Sequence, residues 1–82
     1  MPRLLRLSGT EIIDILRPYG FEVISIKGSH HKLRRIQNGE KQPLLVAVHG
    51  KSPLSTETLR SIYRDAARYI SENELRRFFY AE

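Results

Sequence analysis

A histidine and two basic residues occupy alternate positions in the segment His30 to Arg34, a run that favours a β-strand. His30, Lys32 and Arg34 would therefore share one face of that strand. An imidazole, which titrates near neutral pH, can take a proton from a ribose 2′-hydroxyl or give one to a leaving oxygen. Lysine and arginine can stabilise the added negative charge on phosphorus in the transition state. These residue types are compatible with metal-free RNA cleavage, and equally with a non-catalytic surface that only contacts backbone phosphates.

Other chemistries lack their residues. The chain has no cysteine, which excludes disulfide scaffolds, cysteine nucleophiles and thiolate zinc sites. His30, His31 and His49 do not indicate a metal site, because adjacent strand residues point to opposite faces and no Asp or Glu lies nearby. Gly28-Ser29 lacks the glycine spacing of a phosphate-binding loop, and no carboxylate marks a serine triad. We therefore expect no metal and no cofactor, and histidine remains the candidate catalyst.

The positive charge of the chain is concentrated around this segment. The net charge is +5, and the stretch between Glu22 and Glu40 contains four basic residues and no acidic one. The remaining ten basic and nine acidic residues leave only +1. Such a patch attracts a polyanion, although a solvated pair of strands without a partner would have the same composition.

The elements that position these side chains begin with a helix. Ser8 and Glu11 have the spacing of a capping box, and apolar residues then recur at helical intervals. Pro18 and Gly20 predict that this helix ends by about Tyr19.

Three strands are expected next. Residues 21–27 and 30–36 are predicted strands, and Asn38-Gly39 is a strong hairpin signal. Residues 44–49 form the third predicted strand, with Pro43 tolerable at its first position. The strands thus form an antiparallel meander.

Two helices close the predicted order. Ser55 or Thr56 can cap a second helix, and Ser71 can begin a short third helix that contains Leu75, Phe78 and Phe79. The resulting fold class is α+β, with a three-stranded antiparallel sheet and both main helices on one face of it.

The alternation of the second strand decides which side chains face away from the helices. Leu33 is the large apolar residue at its centre, so His31, Leu33 and Arg35 should face the helices. His30, Lys32 and Arg34 are then expected on the open face.

A second basic feature lies on the predicted second helix. Arg60, Arg64 and Arg68 fall at i, i+4 and i+8 and form one stripe. The stripe could extend a nucleic-acid surface or bind an acidic partner, or it could be a solvated helix face whose arginines pair locally with Glu57 and Asp65.

The length of 82 residues, 40% of them hydrophobic, suits one small globular domain. There is no apolar run near 18 residues, and the first residues are too quickly polar for a signal peptide. We therefore expect no membrane association and a cytoplasmic protein.

Three stretches together resemble the HicA-type (YcfA-like) mRNA interferase toxins. Leu16 to Phe21 is similar to that family's Leu-x-x-x-Gly-Phe, and Lys27-Gly28-Ser29-His30 is similar to its Lys-Gly-Ser-His segment. Residues 46–50 and 58–62 are similar to the end of its third strand and the start of its second helix. Ala67-Arg68 departs from the Ala-Gly that usually ends the second helix, so a longer helix is expected here.

This resemblance implies a double-stranded-RNA-binding-like α-β-β-β-α fold, cleavage of mRNA without a metal, and neutralisation by a HicB-type antitoxin. It places the catalytic histidine at His30, with the adjacent His31 as the alternative. Lys27, Ser29, Lys32 and Arg34 are the expected RNA-binding residues. Residues 1–82 are expected to form a single HicA-like domain with a core of about 8–70 and a C-terminal helical extension at 71–82.

Overall fold

Five strands and three helices are present in the computed structural model, which describes residues 2–81. They follow one another as β1 (Arg3–Leu4), α1 (Gly9–Leu16) with a 3-10 turn (Arg17–Tyr19), β2 (Glu22–Lys27), β3 (His30–Gln37), β4 (Glu40–Ala47), α2 (Thr56–Ala66), α3 (Glu72–Phe79) and β5 (Tyr80–Ala81). The fold is α+β, as predicted. Within residues 2–81 no helix is both long and apolar enough to cross a bilayer.

The first helix begins and ends as its sequence predicts. The Glu11 N–H donates to Ser8 Oγ at 3.1 Å, and the Ser8 N–H donates to Glu11 Oε1 at 2.9 Å, so the capping box is complete. Pro18 lies in the 3-10 turn, and Gly20 ends it with a φ of 97°. This left-handed backbone turns the chain into β2 and so sets where the sheet begins.

The central sheet has the order β2-β3-β4, with both pairs antiparallel. Asn38 and Gly39 both have positive φ, 53° and 81°, which confirms the hairpin turn between β3 and β4. The third predicted strand begins four residues too late, because β4 already starts at Glu40 and Pro43 pairs with Arg34 inside it. An interior proline is tolerated because β4 is an edge strand, where an N–H can point away from the ladder.

The core lies between one face of this sheet and the helices. Leu33, Leu44 and Val46 supply the sheet side and are at most 4% exposed. The helices and adjoining segments supply the buried apolar residues Ile12, Ile13, Leu16, Phe21, Leu59, Ile62, Ala66, Ile70, Leu75 and Phe79. The opposite face of the sheet is left without a covering layer of helices, and the site lies there.

The C-terminal part differs from expectation in two ways, the end of α2 and an additional small sheet. α2 ends at Ala66 with Ala67 as its cap, so the prediction of a longer helix is wrong. α3 contains Leu75, Phe78 and Phe79, as predicted; Leu75 and Phe79 are buried and Phe78 is 40% exposed. A two-stranded sheet that pairs β1 with β5 was not predicted, because two-residue strands carry no periodic signal.

Candidate RNA-cleaving face and groove

The alternation of β3 separates its side chains as the sequence predicts. Leu33 is fully buried against the helices, and its register partner is the buried Leu44. His30 and Lys32 have the opposite parity and are exposed. Their register partners on β4 are Ala47 and Leu45, so these four side chains share the open face.

A β-bulge at Ile24 sets the composition of this face on β2. Val23 pairs with the buried Leu33, and the register then shifts so that Ser25 pairs with Lys32 and Lys27 with His30. A strictly alternating strand would put Val23 and Lys27 on the same face. The extra residue resets the alternation and directs Lys27 onto the face of His30. Nothing in the pattern of residues 21–27 indicates this bulge.

The basic side chains of the face are free of ion pairs. Among residues 2–81 the two ion pairs within 4.0 Å are Asp14–Arg17 and Glu72–Arg76, both on helices. Lys27, Lys32 and Arg34 therefore present charge that a polyanion can use. Arg34 is half-buried, and its register partner is Glu22.

The basic residues of the open face lie at different distances from His30. Lys27 lies directly opposite His30, and Lys32 is two residues along the strand, about 7 Å away. Arg34 is four residues along, about 13 Å from His30. Lys27 and Lys32 thus lie close enough to His30 to reach one group bound there, whereas Arg34 lies beyond that range.

Arg35, the fourth basic residue of this segment, has a structural role. Its guanidinium donates to Gln42 Oε1 at 2.5 Å, to the Tyr19 carbonyl at 3.0 Å and to the Tyr69 carbonyl at 2.6 Å. It also lies 5.0 Å from the centre of the Phe21 ring. Because these groups lie on the helix side of the sheet, one of the four positive charges of the segment does not reach the open face.

His31 lies on the face opposite to His30. It is half-buried and pairs with the fully buried Val46, and its Nδ1 atom is buried without a hydrogen-bond partner in the described part of the chain. The two candidate histidines therefore face different surroundings, and the face with the free lysines belongs to His30.

Ser29 lies in the turn that joins β2 and β3 and is half-buried. Its carbonyl accepts a hydrogen bond of 2.7 Å from the Val48 N–H. This bond extends the β3–β4 ladder by one step beyond His30 and steadies the turn that holds Lys27 and His30 together.

A groove runs between the open face and α2, over the edge formed by β4. Its larger part has a volume of about 560 Å³ and is lined by His30, His49, Glu57 and Asp65 among others. A second part of about 400 Å³ shares Leu45 and Asp65 with it and includes Lys32 and Arg68. The expectation that no Asp or Glu lies near the histidines is wrong, because α2 brings two carboxylates to the far wall.

These carboxylates do not form a metal centre. Within residues 2–81 no group of three or more His, Cys, Asp or Glu side chains is arranged to hold a metal ion. The groove thus carries Lys32 at its sheet wall and Glu57 and Asp65 at its α2 wall, and Arg68 also lines its second part.

Arg60 and Arg64 of the predicted stripe lie on α2, whereas Arg68 lies in the turn after the helix ends at Ala66, and all three are exposed. The prediction of one stripe along the helix therefore holds only for Arg60 and Arg64. In the described chain none of Arg60, Arg64 and Arg68 forms an ion pair within 4.0 Å, so local pairing with Glu57 and Asp65, one of the alternatives, is not present. Only Arg68 of the three lines the groove.

Comparison with known proteins agrees with the resemblance drawn from the motifs. Residues 9–67, most of the chain, match the family model described as HicA toxin of bacterial toxin-antitoxin. Searches of curated proteins and of solved structures found no match. The matched range contains the whole three-stranded sheet, α1 and α2, and therefore every residue that lines the larger part of the groove.

Proposed function

The chain belongs to the HicA family of toxins from bacterial toxin–antitoxin systems, and from that premise we propose that it is an mRNA endoribonuclease that cuts RNA without a metal. His30 takes the proton from the ribose 2′-hydroxyl as general base, and Lys27 and Lys32 hold the scissile phosphate. The 2′-oxygen attacks phosphorus, and the 5′-oxygen of the next nucleotide leaves. We place this reaction in the cytoplasm, where mRNA is available.

One observation carries the proposal, namely the register that puts Lys27 directly across from His30 on the open face. Directly opposed residues have Cβ atoms about 4.5–5.5 Å apart. From Cβ atoms at that separation the flexible Lys27 side chain can bring its ammonium group to a phosphate beside the imidazole, where it would stabilise the negative charge that develops on the phosphate oxygens during proton transfer. The face has no covering helix layer, so a flexible or opened RNA strand can approach it.

We propose Ser29 and Arg34 as supporting RNA contacts. Ser29 adjoins His30 in the turn, and Arg34 is spaced for a neighbouring phosphate. Contacts of this kind position the strand and contribute affinity that falls with salt, without contributing to bond breaking.

A toxin of this kind has an antitoxin partner, which we propose to be a HicB-type protein that covers the open face. Leu45, which is 62% exposed, lies opposite Lys32, and Ile36, also 62% exposed, has the same strand parity as Lys32. Apolar side chains among free cations suit a partner with both apolar and acidic residues. Such a partner would exclude RNA from His30.

The test compares His30→Ala with His31→Ala on purified RNA in the presence of EDTA, and in a growth-arrest assay. We expect His30→Ala to abolish cleavage and arrest, and His31→Ala to retain both, with folding checked by circular dichroism. If His31→Ala is inactive while folded and His30→Ala still cuts, the catalytic residue is His31. If the parent binds RNA in a salt-sensitive way without cutting it, the protein is a non-catalytic RNA-binding module.

A further inference from the structure

His49 lies just beyond β4, on the side of the sheet that carries His30. The ladder continues past the end of β4 at Ala47, because the Val48 N–H donates to the Ser29 carbonyl at 2.7 Å. His30 pairs with Ala47, so His49 is its diagonal neighbour two residues further along the partner strand. Both histidines are exposed and line the same groove.

The space between the two imidazoles is suited to a phosphodiester. Diagonal cross-strand neighbours are about 7–8 Å apart, and the residue between them on this face is Ala47, whose methyl group leaves the gap open. In an in-line displacement the attacking and leaving oxygens lie on opposite sides of phosphorus. Since proton transfer needs heavy atoms within about 2.6–3.2 Å, two imidazoles on opposite sides can serve both oxygens in one step.

We propose that His49 is a second catalytic residue, the general acid of the reaction, and this inference rests on the function proposed above. The 2′-oxygen bonds to phosphorus and gives its proton to neutral His30. The bond between phosphorus and the 5′-oxygen breaks, and that oxygen takes a proton from protonated His49. The products are a 2′,3′-cyclic phosphate and a 5′-hydroxyl, with one histidine protonated and the other deprotonated at the end.

The experiment uses two RNA substrates that differ only at the leaving atom. One has the ordinary 5′-oxygen at the cleavage site, and the other has a bridging 5′-sulfur, whose thiolate leaves without being protonated. His49→Ala and His49→Gln are compared with the parent, with His30→Ala, and with Ser52→Ala as a control on an exposed position of the same loop. EDTA is present throughout.

We expect both His49 variants to cut the ordinary substrate about 10²–10⁴-fold more slowly than the parent, the usual range for a lost general acid. On the sulfur substrate the His49 variants should be less than about tenfold slower than the parent, whereas His30→Ala should cut both substrates slowly. Ser52→Ala should match the parent on both substrates.

Two results would refute the role of His49 without refuting the proposed nuclease function. In the first, the parent cuts and the folded His49 variants cut ordinary RNA as fast as it does. In the second, the His49 variants cut both substrates more slowly than the parent by the same factor, which would make His49 an RNA-binding residue. A folded parent that cuts neither substrate would instead refute the proposed nuclease function, and the role of His49 with it.

Discussion

Lys27 stands directly across the sheet from His30, and the bulge at Ile24 is the reason that it does. Val23, on the other side of the bulge, faces the helices together with Leu33. Within six residues β2 therefore contributes an apolar side chain to the core and a cation to the site, at positions that simple alternation would put on one face.

Replacing Lys27 with alanine tests whether this pairing matters for catalysis. We expect cleavage to slow by about 10²-fold, as when one stabilising donor of a transition-state charge is removed. Lys41→Ala is the matched control, because Lys41 pairs with Ile36 at the far end of β3, about 20 Å from His30. Single-turnover rates at saturating enzyme give the comparison, and equal rates for the two variants would contradict the pairing argument.

Replacing Lys32 should slow the cleavage step, whereas replacing Arg34 should weaken RNA binding. Lys32→Ala should lower the single-turnover rate, because Lys32 is within reach of the phosphate that His30 serves. Arg34→Ala should weaken binding and reduce the salt dependence of log Kd by about 0.7, the value for one phosphate contact on a single strand, while the rate at saturation stays close to that of the parent. Single-turnover rates and salt titrations of Kd on one RNA measure the two effects. A slow rate for Arg34→Ala at saturating enzyme would place Arg34 at the scissile phosphate.

Leu45 offers a test of the antitoxin surface. Leu45→Asp should weaken the complex with a HicB-type antitoxin by more than about tenfold in Kd, because it puts a carboxylate where an apolar contact is proposed. Ile26→Asp is the control, since Ile26 is 61% exposed but pairs with His31 on the other face. Calorimetry with the purified antitoxin would decide, and equal Kd values for the two variants would show that the antitoxin does not cover the face of Leu45.

Arg35 should matter for stability instead of activity. Arg35→Ala removes the hydrogen bonds that join β3 to the carbonyls of Tyr19 and Tyr69, at the ends of the first helical segment and of the turn after α2. We expect a loss of about 3 kcal/mol in the free energy of unfolding, since bonds to a charged donor contribute about 1.5–3 kcal/mol each and do not add fully. Arg34→Ala, one residue away on the other face, should change it by less than about 0.5 kcal/mol. Urea unfolding measures both, and similar midpoints would refute the structural role.

Tyr63 gives the fold a dependence on alkaline pH. Burial raises the pKa of Tyr63 above its ordinary value of 10.0, and the Glu72 carboxylate adds to the effect while Arg76 opposes it. The folded state thus favours the neutral phenol, which donates to Glu72 Oε2 at 3.3 Å. This stabilisation is present below pH 10 and is lost as the pH rises through the folded-state pKa. Tyr63→Phe should therefore lose less stability than the parent between neutral and strongly alkaline pH in urea titrations.

Local signals in the sequence were sufficient for the three helices, for the order of the three-stranded sheet and for the face that carries His30. The Ser8–Glu11 capping box and the Asn38-Gly39 turn depend only on residues close to each other in sequence. Both can therefore be predicted without knowledge of the packing. The same holds for the alternation of β3, because one buried leucine at its centre decides the orientation of every neighbour.

The tertiary structure alone decided how the site is completed. Three features depend on the packing of segments distant in sequence. They are the bulge that directs Lys27 to His30, the hydrogen bonds of Arg35 to the carbonyls of Tyr19 and Tyr69, and the groove that His49 lines together with α2. The register of a strand is set by contacts with its partner strand. The position of a groove wall is set by where the helix packs on the sheet. The sequence by itself thus determined that a histidine and cations share a face, and packing determined which cation stands opposite the histidine and which second histidine lies beside it.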